Sequence, residues 1–118
     1  MKTLVLGAST NTSRYSNKAI KLLRAYNHEV VAVGLDEGFA GDVDIIHDFP
    51  AGEKIDTITL YLNPRRQESY YQKILDLKPR RIIFNPGAEN RELEKLAEEN
   101  GIKTEEACTL VLLNTGQY

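Results

Sequence analysis

An apolar strand, a loop of small residues, an amphipathic helix and a second strand follow one another within residues 2–33. No other feature limits the fold as much. Lys2-Thr3-Leu4-Val5-Leu6 is apolar and β-prone, and Gly7-Ala8-Ser9-Thr10-Asn11-Thr12-Ser13 is a run of small residues. Tyr15, Ala19, Leu22, Leu23 and Tyr26 then recur at helical spacing, and Glu29 to Val33 returns to a strand pattern. A βαβ unit of this kind usually opens a nucleotide-binding α/β sheet. Gly7 permits a tight turn and a close backbone approach to a phosphate. The free N–H groups and positive end of the following helix stabilise an anion there.

The loop lacks the full Gly-x-Gly-x-x-Gly fingerprint. Ser9 and Thr12 stand where the second and third glycines would fall. Without the second glycine the backbone comes less close to a pyrophosphate. Ser9, Thr10, Thr12 and Ser13 offer hydroxyls to phosphate oxygens instead. The same residues could simply cap the helix, and a capped N-terminus and an anion site occupy one place.

The rest of the chain continues the alternation. Strands are expected near 2–6, 29–33, 43–46, 56–62, 81–84 and 103–107, and helices near 15–26, 64–77 and 90–99. Asn27 is expected to stop the first helix. Asn63-Pro64 offers a cap and a proline at the first helical position, and Asn100-Gly101 offers a helix stop. Residues 34–55 are too glycine-rich and acidic for a full helix, so only the short strand is placed there. The expected fold is a Rossmann-like, doubly wound, mostly parallel sheet in one domain spanning 1–118.

Composition narrows the function. A net charge of −2 argues against a nucleic-acid-coating surface. No apolar run approaches the ~20 residues that span a bilayer, and no signal-peptide pattern is present. A single cysteine, Cys108, cannot form an internal disulfide. The expected compartment is the cytoplasm.

Ligands of doubly wound sheets sit beyond the carboxyl ends of the strands. Those ends carry Gly7-Ala8-Ser9, Gly34-Leu35-Asp36, Asn63-Pro64-Arg65, Asn85-Pro86-Gly87 and Cys108. Glycine and proline punctuate any such turn, but here they recur along one edge. Candidate phosphate-binding cations are Arg14 and Lys18 at the first helix, and Arg65 and Arg66 at the second.

The order and spacing of several motifs carry a resemblance. These are Leu6-Gly7-Ala8-Ser9 with Asn11 and Ser13, Ile55-Asp56-Thr57, Asn85-Pro86-Gly87 with Asn90, and Asn100-Gly101 followed by Cys108. Over its whole length the chain resembles the small stand-alone CoA-binding proteins, related to the CoA-binding domain of the succinyl-CoA synthetase alpha subunit. The resemblance implies coenzyme A or an acyl-CoA as ligand, its diphosphate on the first loop. It implies a nucleotide and pantetheine groove along the later loops, including Gly34, Asn63, Pro64, Arg65, Pro86, Gly87, Asn90 and Cys108. Most members read Val-Asn-Pro after the second strand, where this chain has Val33-Gly34-Leu35. The domain carrying the synthetases' phospho-histidine has no counterpart here.

Catalytic groups are sparse. His28 lies at the amino edge, His47 has no obvious partner beside it, and neither has metal-ligand spacing. Cys108 is either a buried apolar group or a thiol facing the pantetheine end. The expected function is CoA or acyl-CoA binding without chemistry. Two alternatives stay open. An NAD(P)-binding enzyme or subunit would use Asp36 on ribose hydroxyls. An interaction module, as a homodimer or with a partner protein, would use the apolar tail Leu110-Val111-Leu112-Leu113, which could equally pack on the sheet.

Overall fold

Central strands of a parallel sheet are buried on both faces, and three segments are buried along nearly their whole length. In the computed structural model, which describes residues 2–118, these are β1 (Lys2–Leu6), β5 (Thr57–Leu60) and β6 (Arg81–Phe84). They pair in parallel, Thr3 opposite Thr57 and Thr57 opposite Arg81. On the other side of β1 lie β2 (Glu29–Val33) and β4 (Val43–Ile46), also parallel, and β7 (Lys103–Glu106) closes the far edge beside β6. The sheet order is β3-β4-β2-β1-β5-β6-β7, where β3 (Phe39–Ala40) is antiparallel to β4.

Alternate residues of each strand feed opposite faces. Leu4, Leu6, Ile58, Leu60, Ile82 and Phe84 join Ile74, Leu93 and Ala97 in one core layer. Val5, Ala32 and Ile45 join Ile20, Leu23 and Leu113 in the other. The expected doubly wound, mostly parallel sheet is therefore the fold.

Helix boundaries follow local chemistry. The helix α1 (Tyr15–Ala25) ends where Asn27 turns to φ +66 and the His28 N–H bonds the Leu23 carbonyl. Gly101, at φ +75, and the Ile102 N–H bond to Ala97 O close α4 (Arg91–Glu99) in the same way. Asn90 caps α4, accepting from the Leu93 N–H.

Four expectations are corrected. The helix expected over 64–77 is α2 (Pro64–Gln67), a 3-10 turn at Glu68–Tyr70 and α3 (Tyr71–Leu77). The tighter turn rotates the second half, burying Ile74 while Ser69 and Tyr70 reach the carboxyl edge. The strands expected over 56–62 and 103–107 stop at Leu60 and Glu106. An edge hairpin forms at β3, turning at Gly41 and Asp42, with Arg24 bonded to the Asp42 carboxylate. The apolar tail, left open between packing on the sheet and an interaction surface, is α5 (Thr109–Asn114), which packs against α1 and buries Leu113 in the core layer with Val5 and Ala32.

Candidate functional site

The chain runs outward from β1 to β2 and β4, then returns across β1 to β5. Loops leaving β1 and β5 therefore diverge, and a crevice opens between them. Its volume is about 620 Å³, within the usual range of small-ligand sites. Gly7, Ala8 and Ser9 form its floor. Val33 to Asp36 form one wall, and Tyr61, Leu62, Arg66, Ser69, Tyr70 and Pro86 the other. Arg14, Tyr15 and Ser16 stand at the mouth.

Two glycines let the floor and the Val33 to Asp36 wall meet closely. Gly7 adopts φ +99, and the N–H groups of Gly7 and Ala8 both donate to the Val33 carbonyl at 2.9 and 3.0 Å. A Cβ on Gly7 would come within 3.1 Å of the Leu62 side chain and the Tyr61 backbone. Gly34 is more tightly held, since a Cβ there would sit 2.2 Å from the Ala8 carbonyl oxygen. The loops after β1 and β2 thus touch backbone to backbone.

The alternative reading, that the serine and threonine loop simply caps α1, is not what forms. Arg14 occupies the N-cap position without a side-chain cap bond. Asn11 instead accepts from the Ser13 N–H and hydroxyl in an exposed turn of its own. The first turn of α1 therefore presents its N–H groups without a side-chain cap, at the mouth of the crevice.

Asp36 ties the first loop from across the crevice. Its Oδ2 accepts from the Thr10 N–H at 2.9 Å, the Ser9 hydroxyl at 3.0 Å and the Thr10 hydroxyl at 3.1 Å. The Thr10 N–H, then the two hydroxyls, hold its carboxyl below the usual carboxylate range. Across the crevice, Tyr61 places its hydroxyl in a buried position without a hydrogen-bond partner. Burial pushes that phenol upward, so it stays neutral.

Of the expected site residues, Gly7, Ala8, Ser9, Arg14, Gly34 and Pro86 line the crevice. The others stand outside its wall for identifiable reasons. Asn11 and Ser13 satisfy each other. Lys18 lies over the Tyr15 ring at 5.4 Å. Asn63 caps α2 by accepting from Arg66 N–H, followed by Pro64 at the helix start. Arg65 is exposed, and the cation that reaches the wall is its neighbour Arg66. The Gly87 N–H donates to Glu89 in an exposed turn. Asn90 is 7% exposed, and its amide donates to Gln67 and the Tyr71 hydroxyl. Cys108 is half-buried at the start of α5, near enough to Tyr61 for a thiolate there to oppose ionisation of the phenol.

Arg66, one of the candidate cations, is a wall residue, and Tyr61, Leu62, Ser69 and Tyr70 are wall residues that sequence reasoning did not select. Tyr61 and Leu62 directly follow β5, so the strand-end rule could have found them. Ser69 and Tyr70 depend on the 3-10 turn and carried no such signal. Among the described residues no group of His, Cys, Asp and Glu is arranged to hold a metal ion, and no helix is long and apolar enough to cross a membrane.

The sheet is Rossmann-like, and its carboxyl edge carries a glycine turn, an uncapped helix start and flanking arginines. The comparisons make this specific. The CoA binding domain family matches residues 1–114, and the chain belongs to that family. A solved structure described as an uncharacterized protein is 48% identical, with a TM-score of 0.96, over 99% of this chain and 97% of that one. Cell-free ID.343 from Thermus thermophilus shares the fold at 23% identity and a TM-score of 0.85, over 99% of this chain and 90% of its own. A dinucleotide-forming acetyl-coenzyme A synthetase 1 from Ca. Korarchaeum cryptofilum, solved with phosphate and ADP, shares it at 15% identity and a TM-score of 0.69. That match covers 90% of this chain and 25% of the synthetase. No curated protein matches.

Proposed function

We propose that the crevice binds coenzyme A or an acyl-CoA, and that this domain acts in the cytoplasm as a binding domain without chemistry of its own. The observation that carries this reading is the uncapped first turn of α1, opening beside the Gly7–Ser9 floor between Arg14 and Arg66. Helix N–H groups, the helix dipole and two guanidinium groups together suit a diphosphate. The family supplies the ligand class.

The residues present fit such a ligand. The floor has the glycines a close backbone approach needs, and the wall from Tyr61 to Tyr70 offers aromatic and apolar surface to an adenine or a pantetheine arm. Neither histidine nor cysteine lines the crevice. Its carboxylate, Asp36, is engaged with the first loop. These features support binding rather than proton or group transfer.

Calorimetry with CoA, acetyl-CoA, NAD, NADP and ATP tests the reading, alongside thermal unfolding. CoA is expected to stabilise the fold more than NAD does. At about 100 times its dissociation constant a ligand adds roughly 2.7 kcal/mol. Arg66→Ala should weaken CoA binding and Arg65→Ala should leave it nearly unchanged. Equal shifts with NAD and CoA, or a shift with NAD alone, would reject CoA as the ligand.

A further inference from the structure

We propose that the open face of β3 and β4 is a docking surface for a partner protein, and that this partner presents apolar side chains bordered by lysines or arginines. The surface is separate from the reading of the crevice as a CoA site.

The face is open because of how the chain runs. Among the described residues no helix lies between β2 and β4, and residues 34–42 form the short strand β3 instead. A doubly wound sheet normally has helices over both faces. Here α1 covers one face of this end of the sheet, where Ala32, Ala40 and Ile45 join Ile20 and Leu23. On the other face Phe39 stands opposite Asp44, and Ile46 follows two residues on. Residues opposite one another, and residues two apart, share a face. Phe39 is 61% exposed and Ile46 is 37% exposed. Ile46 is also in register with Val33, so the same face of β2 carries Val31, which is only partly buried. A shallow groove of about 450 Å³ runs here, lined in part by Glu29, Val31, Asp44, Ile46 and Glu53. Exposed apolar surface with a polar border marks an interaction site.

Charge names the occupant. Residues 29–53 hold seven of the chain's 17 acidic residues and no lysine or arginine. The other ten acids share the rest of the chain with all 15 cations, so the remainder is positive. Glu37, Asp44 and Asp48 are exposed, and among the described residues none of the three forms an ion pair. The cations at the border are already engaged. Lys2 lies 3.7 Å from Glu29 and 3.8 Å from Glu53, and Arg24 is bonded to Asp42. A second copy meeting this face with its own would bring like charges together, and nucleic acid or an anionic membrane carries the same sign. Strand addition is poorly served by β3, whose two residues offer almost no edge to extend. A partner with an apolar centre and a basic border matches both the exposed side chains and the charge around them.

The test uses two labelled peptides of about 18 residues, long enough to form a helix. One sets a leucine stripe among lysines, and the other sets the same stripe among glutamates. Fluorescence anisotropy at low salt is expected to show binding of the lysine peptide alone. Phe39→Ser and Ile46→Ser should each weaken that binding roughly tenfold, as truncation of a central apolar contact does. Asp44→Asn combined with Asp48→Asn should weaken it several-fold at low salt, and the difference should shrink at high salt. Glu98→Gln combined with Glu99→Gln removes two exposed acids from α4 and should leave binding unchanged. Circular dichroism confirms the fold of each variant. The proposal is overturned by no binding of the lysine peptide, by equal binding of both peptides, or by a loss in the α4 variant as large as in the Asp44 and Asp48 variant. Self-association in sedimentation that Phe39→Ser abolishes would assign the face to a second copy and overturn the partner.

Discussion

At the scale of single residues, Gly34 is the position where the crevice tolerates least change. Its backbone conformation is open to any residue, so the constraint is contact rather than φ. A methyl group would lie 2.2 Å from the Ala8 oxygen, a distance no side chain tolerates, and backbone on both sides leaves little room to yield. Gly34→Ala is expected to push the β1 and β2 loops apart, at a cost of about 1–3 kcal/mol from overpacking. The Gly7 and Ala8 bonds to Val33 should weaken with it. Urea unfolding reads the stability loss, and amide exchange at Gly7 and Ala8 reads the loop. A Gly34→Ala protein with unchanged midpoint and unchanged protection would show that the loops are not held against each other.

At the scale of elements, Asn90 joins three helical segments. Its oxygen caps α4, and its amide donates to Gln67 at the end of α2 and to Tyr71 at the start of α3. Gln67 is fully buried and passes the connection on, donating to the carbonyls of Leu62 and Ala88. These bonds hold the segment carrying Arg66, Ser69 and Tyr70 against the loops after β5 and β6. Asn90→Ala removes the cap and leaves buried acceptors without donors. The expected cost is about 2–4 kcal/mol, the sum of a lost cap and an unsatisfied polar group. Asn90→Asp should lose less, because its carboxylate still caps α4. Denaturant midpoints at a common slope separate the variants, and equal losses in both would assign the whole effect to the amide.

For the molecule as a whole, the far end of the sheet from the crevice governs the response to acid. Arg80 grips Asp56 through Nε at 2.9 Å and a terminal nitrogen at 3.1 Å, and the Thr57 hydroxyl donates to the same carboxylate at 2.7 Å. The Arg80 guanidinium, more than Thr57, holds the Asp56 carboxyl below the usual range. A folded-state value below the unfolded one means that protonation favours the unfolded chain. The stabilisation is therefore complete above about pH 4, the unfolded carboxyl range, and is lost as pH falls through the folded value. Asp56→Asn should lower stability near neutrality and flatten the fall between about pH 4 and pH 2. Asp36 and Asp42 are shifted the same way, so some slope should remain. Urea midpoints for both proteins across that range decide it, and parallel slopes would remove Asp56 from the acid response.

Local pattern by itself determined the repeating frame. The strands at 2–6, 29–33, 43–46 and 81–84 fall where apolar β-prone runs placed them, and the helix stops at Asn27 and Gly101 follow from the left-handed backbone those residues accept. The carboxyl edge, and the glycine floor upon it, follow from strand order and residue type alone. What lay beyond the sequence depends on how the elements dock. One residue along a helix turns a side chain by about 100°. Whether Arg65 or Arg66 reaches the crevice is therefore set by the seating of α2, which Asn63 fixes by capping it and Gln67 by bonding the distant Ala88 carbonyl. The 3-10 turn that brings Ser69 and Tyr70 to the wall, and the packing of α5 on α1, likewise answer to burial of Ile74 and Leu113 rather than to local propensity. Asn90 and Cys108 carry residue types that suit a ligand, yet a buried hydrogen-bond network holds the first, and the second is half-buried at the start of α5. Asp36 shows the same division. Its position after β2 is written in the chain, but its bonds to Ser9 and Thr10 span more than 25 residues, and only the folded sheet brings them together.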